Sequence, residues 1–244
     1  EEGSYYLTGA EREMLRCVCD SFERVIVVLN VPNIIDMGFV QDSAHIRAVV
    51  YAWQGGMEGG NGIADVLAGK EVFQGKLTDT IARKITDYPS DRNHGGKEKN
   101  IYQEDIYVGY RYFETFAKDA VLYPFGYGLS YTEFAISDSA VTVSGSGPET
   151  VFVFTCKVKN TGTQYSGRET VQLYVEKPAG GMGRPARELA GFAKTRNLGC
   201  QEEQTLRIEV PAYRLASYDD IGISGYKDAY VLEAGTYCFH AGTS

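Results

Sequence analysis

Tyr107-Val-Gly-Tyr-Arg-Tyr-Phe-Glu-Thr-Phe116, followed after five residues by Leu122-Tyr-Pro-Phe-Gly-Tyr-Gly-Leu-Ser-Tyr131, separates two regions of different pattern. Disordered linkers are poor in aromatics, because such chains bury too little apolar surface to offset the entropy of ordering. A connection this rich in Tyr and Phe is therefore an ordered, packed strap. It makes the chain a two-domain protein whose halves are read separately.

Upstream of the strap the pattern is α/β. Thr8-Gly-Ala-Glu11 has the form of a capping box. Met14, Leu15, Val18 and Phe22 recur behind it at helical spacing, which predicts a helix over 9–23. Val25-Ile-Val-Val-Leu29 is a continuous apolar run, expected of a strand covered on both faces. Asn33 is placed to cap a short helix reaching about Val40. Ala48-Val-Val-Tyr-Ala-Trp53 reads as a second buried strand, with a Gly-rich exit loop over 54–61. A helix through Ile63, Val66 and Leu67 stops at Gly69. Alternating helices and apolar strands predict a parallel sheet. Two or three strands make an incomplete layer, so part of this domain is expected outside the chain, whose start at Glu1-Glu2-Gly3 reads as that of a fragment. Lys76-Leu-Thr-Asp-Thr-Ile-Ala82 reads as a short strand, and 87–100 as a polar loop.

Downstream, from Val141, the helical period disappears. Strands are predicted over 151–158, 169–175, 188–194, 205–210 and 235–241, with turns at Asn160-Thr-Gly162 and Asn197-Leu-Gly199. Five to seven short strands over about 105 residues predict an immunoglobulin- or fibronectin-III-like sandwich. The fold class is thus α/β plus all-β: a partial parallel α/β layer at 1–100, an aromatic strap at 101–136 and a β-sandwich at 137–244.

Composition narrows the function. With 244 residues, 43% hydrophobic and 23% charged, the chain is an ordinary globular one. A formal charge of −8 argues against nucleic-acid binding, which needs clustered Lys and Arg. No apolar run approaches the ~20 residues that span a bilayer, so no membrane partner is expected. The cysteines, Cys17, Cys19, Cys156, Cys200 and Cys238, are odd in number and lack C-x-x-C spacing, which fits reduced thiols and a cytoplasmic protein. His45, His94 and His240 are isolated, so neither a metal nor a cofactor is expected.

Few residues carry a chemical signal. The loop after Trp53 lacks the Lys-Ser/Thr of a P-loop and does not fit G-x-G-x-x-G. It does leave the carboxyl edge of the sheet, where α/β proteins bind ligands. Trp53, the sole Trp, is the candidate substrate-binding residue, a wall for a sugar ring; packing against the following helix is its competing role. Glu58 and Asp105 read as loop-fixing carboxylates. The sandwich shows no Ser/His/Asp or Cys/His constellation and reads as scaffold.

Several motifs in order closely resemble family 3 glycoside hydrolases, the β-glucosidase and β-xylosidase family. Trp53-Gln-Gly-Gly-Met-Glu-Gly-Gly-Asn61, Ala64-Asp-Val-Leu-Ala-Gly69 and Gly75-Lys-Leu-Thr-Asp-Thr80 are similar to its α/β-sandwich domain. Glu104-Asp-Ile-Tyr-Val-Gly-Tyr-Arg-Tyr-Phe113 and Tyr123-Pro-Phe-Gly-Tyr-Gly-Leu-Ser-Tyr131 are similar to its linker. Asn160-Thr-Gly162, Arg184-Pro-Ala-Arg-Glu-Leu-Ala-Gly-Phe192 and Leu215-Ala-Ser-Tyr-Asp219 are similar to its fibronectin-like domain. The wording is that of a bacterial subgroup in which these domains can precede the barrel. Pro32, where the family usually has Gly, and Glu71-Val-Phe-Gln74, in place of Asn-Pro-Ser, depart from the pattern.

The resemblance implies retaining hydrolysis of a terminal β-linked glucose from a β-glucoside or oligosaccharide. It implies a nucleophilic Asp on a (β/α)8 barrel and an acid/base Glu just upstream of the Thr8-capped helix, about 5–5.5 Å apart. By spacing that Glu falls before Glu1; Glu1 and Glu2 themselves read as surface charge. No catalytic residue is therefore assigned within the chain. Its expected partner is the polypeptide carrying the barrel and the rest of the α/β domain, with homo-oligomerisation left open. The alternative is a non-catalytic carbohydrate-binding or scaffolding module.

Overall fold

A computed structural model describes residues 5–243, so Glu1 and Glu2 lie outside the described residues. The chain forms two compact units that share it in alternating pieces. One takes the described part of Glu1–Glu71 with Asp79–Glu104 and Ala117–Pro124. The other takes Val72–Thr78, Asp105–Phe116 and the described part of Phe125–Ser244.

The first unit is the α/β one. Helix α1 (Gly9–Ser21) starts on the expected capping box: Glu11 N–H donates to Thr8 Oγ1 at 3.3 Å, and Thr8 N–H donates to Glu11 Oε2 at 2.8 Å. Strands β1 (Val25–Leu29) and β2 (Ile46–Tyr51) pair in parallel, with Leu29 opposite Tyr51. The predicted cover on both faces of β1 is not found. Val25 and Leu29 are buried, but Ile26 and Val28, pointing the other way, are 53% and 38% exposed. The second strand also ends at Tyr51, leaving Trp53 in the loop beyond it.

The helix expected after Asn33 is absent; only a 3₁₀ turn at Gly38–Gln41 forms. One distant and one local hydrogen bond divert the backbone: Asp36 N–H donates to the Tyr5 carbonyl at 2.8 Å, and Gly38 N–H donates to the Asp36 carboxylate at 3.0 Å. Asp and Asn compete with helices in this way. Helix α2 (Gly59–Leu67) ends as predicted, with Gly69 at φ +73° just past it. The strand expected over 76–82 shrinks to β3 (Ile81–Ala82), antiparallel to β4 (Val121–Tyr123). Both residues of β3 are buried, and Tyr88 fixes them by accepting from Ala82 N–H at 2.8 Å and donating to the Thr80 carbonyl at 3.1 Å.

The second unit holds α3 (Tyr110–Phe116) and the strands β5 (Phe134–Ser144), β6 (Val151–Asn160), β7 (Thr170–Glu176), β8 (Glu188–Lys194), β9 (Glu203–Pro211), β10 (Ser217–Asp219), β11 (Ala229–Val231) and β12 (Cys238–Gly242). Two antiparallel sheets form, in the orders β5-β6-β9 and β12-β7-β8, beside a β10–β11 hairpin. The alternating residues Phe154, Cys156 and Val158 of one sheet and Val171, Leu173 and Val175 of the other close one core. This is the expected sandwich. The sequence pattern misses β5, because its Ser- and Thr-rich residues stay almost wholly exposed along the sheet edge. It also misses β10 and β11, each only three residues long.

The 105–116 and 125–136 parts of the 101–136 strap belong to this unit, and its 101–104 and 117–124 parts to the other. Phe113 is 1% exposed. The Tyr110 hydroxyl accepts from Leu189 N–H at 2.7 Å, while its ring packs against Phe125 and Tyr174. Gly126, at φ +84°, passes so close to the Gln172 amide that a Cβ there would collide with it. Asn160, fully buried, uses all its side-chain capacity: it donates to the Tyr165 and Leu198 carbonyls at 2.9 and 3.0 Å and accepts from Thr132 and Gly162 at 2.6 and 2.9 Å.

Candidate functional site at the strand-exit edge

Parallel pairing brings the carboxyl ends of β1 and β2 side by side, and Ala52 N–H extends the ladder by donating to the Leu29 carbonyl at 2.9 Å. The loops that leave this edge are 30–37 and 52–58. In an open α/β layer, crossover connections diverge at such an edge and leave a crevice.

Trp53 sits at the start of the second loop with φ +54°, in the left-handed region. A bulky residue there is a true outlier, and such strain persists only where surrounding contacts enforce it. Tyr51 packs against it, with its ring centroid 4.5 Å from that of Trp53 at a 47° tilt. Trp53 is half-buried, so neither of its two competing roles excludes the other. The turn that follows is tight: a Cβ on Gly55 would lie 2.9 Å from the Gly59 Cα. Met57 on the same loop is fully exposed.

Tyr51 links the two loops, a role the sequence reading did not give it. Its hydroxyl donates to the Asn33 carbonyl at 2.7 Å. Burial pushes its phenol up to about 12, against the pull of a backbone hydrogen bond with Ile35 and with a further push from Asp79 and Tyr88. The available signal was an aromatic at the last strand position, two residues before the sole Trp.

The other carboxylates singled out do local work. Glu58 accepts from the Asn61 side chain at the start of α2. Asp105 occupies a left-handed turn at φ +48° in the other unit. Each described carboxylate that departs from its ordinary value departs downward. Glu11 is held low by Thr8, Glu13 by Arg16, Glu202 by Arg196, and Asp219 by Ser224. A general acid near neutral pH needs the opposite shift. Among the described residues no His/Cys/Asp/Glu group is arranged to hold a metal. None of their helices is long and apolar enough to cross a membrane.

Comparison with known proteins adds a second line. A family profile described as Glycosyl hydrolase family 3 C-terminal domain matches residues 1–131, and one described as Fibronectin type III-like domain matches 169–244. A β-glucosidase of Ruminococcus albus is 54% identical over 241 residues, covering 99% of this chain and 25% of its own length. A β-glucosidase structure from Paenibacillus barengoltzii superposes with a TM-score of 0.96 at 52% identity, over 100% of this chain and 27% of that one. The β-glucosidase 3B of Thermotoga neapolitana, solved with α-D-glucose, gives 0.86 at 35% identity, over 98% and 32%. The chain thus spans about a quarter to a third of the length of these relatives.

Proposed function

We propose that this chain, which belongs to glycosyl hydrolase family 3, is the non-barrel portion of a retaining β-glucosidase that hydrolyses terminal β-linked glucose. The observation that carries the reading is collinearity. Both family profiles match in order, and β-glucosidases align along nearly the whole chain. In this reading the partner polypeptide supplies the (β/α)8 barrel and its nucleophile. The acid/base Glu precedes the Thr8-capped helix, with Glu1 and Glu2 as bystanders.

Trp53 is the substrate-contacting residue of this chain, a wall against which a pyranose ring of the glucoside stacks. Its place at the carboxyl edge and its left-handed backbone conformation support that role. We also assign the chain to the cytoplasm; its five free cysteines support this.

The test is to assay aryl β-glucosides with residues 1–244 alone and with the assembled enzyme, following the product anomer by NMR. The assembled enzyme should release β-glucose first and the chain alone none. Release of α-glucose first, or turnover by residues 1–244 alone, refutes the proposal. Binding of cello-oligosaccharide by an assembled protein without any turnover would instead support a non-catalytic binding module.

A further inference from the structure

We propose that Tyr51 is a positioning residue that sets the orientation of Trp53 toward substrate. The inference rests on the reading of Trp53 as a sugar wall and extends it to the residue that holds the wall in place.

A stacking residue on a loop loses affinity to its own motion, since immobilising a side chain on binding costs entropy. Besides the Ala52 N–H bond to the Leu29 carbonyl, two restraints on Trp53 run through Tyr51. The first is ring contact, 4.5 Å between centroids at 47°, which fixes one side of the indole. The second acts on the backbone. Tyr51 closes the β1–β2 ladder opposite Leu29, and its hydroxyl reaches the neighbouring exit loop to donate to the Asn33 carbonyl at 2.7 Å. That bond ties the loop after β1 to the strand end that launches Trp53. A residue at φ +54° relaxes toward ordinary backbone conformations once its surroundings let go. The hydroxyl of Tyr51 is thus a clamp on the conformation of a residue two positions away.

The same contact makes the sheet edge a single unit. Asn33, whose carbonyl takes this bond, follows Pro32, whose ring fixes its own φ. Tyr51 therefore reads the position of the first loop and transmits it to the indole of the second. Tyr51 touches no substrate in this scheme, and its loss acts only through Trp53.

Tyr51→Phe keeps the ring and removes the clamp, which makes it the informative variant. Trp53 is the only Trp in this chain, so the emission that the assembled enzyme loses on Trp53→Phe is its own and reports its surroundings without any turnover. We expect Tyr51→Phe to shift that emission. In the assembled enzyme it should raise KM for an aryl β-glucoside three- to tenfold with kcat within twofold. In a Trp53→Ala background, Tyr51→Phe should change KM by less than twofold. Unchanged emission and KM in Tyr51→Phe, beside a raised KM in Trp53→Ala, would remove the positioning role and leave the wall intact. An equal rise in KM with and without Trp53 would show that Tyr51 acts by another route and overturn the proposal. An unchanged KM in Trp53→Ala would overturn the wall itself, and this inference with it.

Discussion

The two units bury their strands in opposite ways. In the sandwich, Phe154, Cys156 and Val158 meet Val171, Leu173 and Val175 from the facing sheet, so each sheet covers the other. In the α/β unit, β1 turns Ile26 and Val28 to solvent, α2 buries none of its residues, and α1 buries only Cys19. An antiparallel sandwich finishes its core from its own hairpins, whereas a parallel sheet needs helices on both faces. The same apolar side chains are therefore core in one unit and open surface in the other. We expect the resistance of this chain to unfolding to concentrate in the sandwich.

The largest expected effect tests that directly. Phe113→Ala removes a fully buried ring from the sandwich unit and should cost it about 4 kcal/mol, read as a fall in its denaturation midpoint. A midpoint shift within error would show that the sandwich does not depend on its strap, and the contrast would weaken. Next comes Asn160→Ala, which strands two backbone carbonyls and the Thr132 hydroxyl and should cost about 3 kcal/mol. Hydrogen exchange should then rise at β6 and β9 while β1 and β2 keep their already faster exchange. Equal protection of β1 and β6 in the unaltered chain would break the comparison outright.

Acid should act on the sandwich through Asp219. Its carboxylate is almost completely buried, and backbone N–H groups of Gly222, Ile223 and Ser224 donate to it at 2.7, 3.1 and 2.7 Å. With the Ser224 side chain as the leading cause, these bonds lower its pKa from 3.8 to about 2. A depressed folded-state value adds stability above the unfolded pKa and loses it as pH falls through the folded one. The sandwich should therefore lose stability between about pH 4 and 2, and Asp219→Asn should flatten that part of the curve. An identical acid limb in both proteins would remove Asp219 from the account.

The smallest effect belongs to the α/β unit. Thr8→Ala deletes the capping box and should cost about 1 kcal/mol, seen as faster exchange in the first turn of α1. The sandwich midpoint should not move. If it moves by the same amount, the two units unfold as one and the comparison sharpens into a single cooperative transition.

How much of this was legible depended on whether a signal was local. The cap at Thr8 and the stop at Gly69 are short-range hydrogen-bond and backbone effects, and both appear where the pattern put them. The alternating apolar residues of β6 and β9 were equally plain, since burial on one face writes itself at period two. The edge strand β5 was not legible, because pairing with β6 rather than burial holds it in place. The helix expected after Asn33 failed because Tyr5 and Tyr51, remote in sequence, claim that backbone. At the candidate site Trp53 was visible as a lone Trp, but its left-handed backbone and the Tyr51 clamp are tertiary facts with no periodic trace.

The chain's path between its two units has an evolutionary consequence. It passes from one to the other at residues 71/72, 78/79, 104/105, 116/117 and 124/125. Genes recombine by single joins, and no single join in this stretch lifts one unit out whole. The two must be inherited, duplicated or transposed as one cassette, so rearrangements of domain order should move this block intact and never split it.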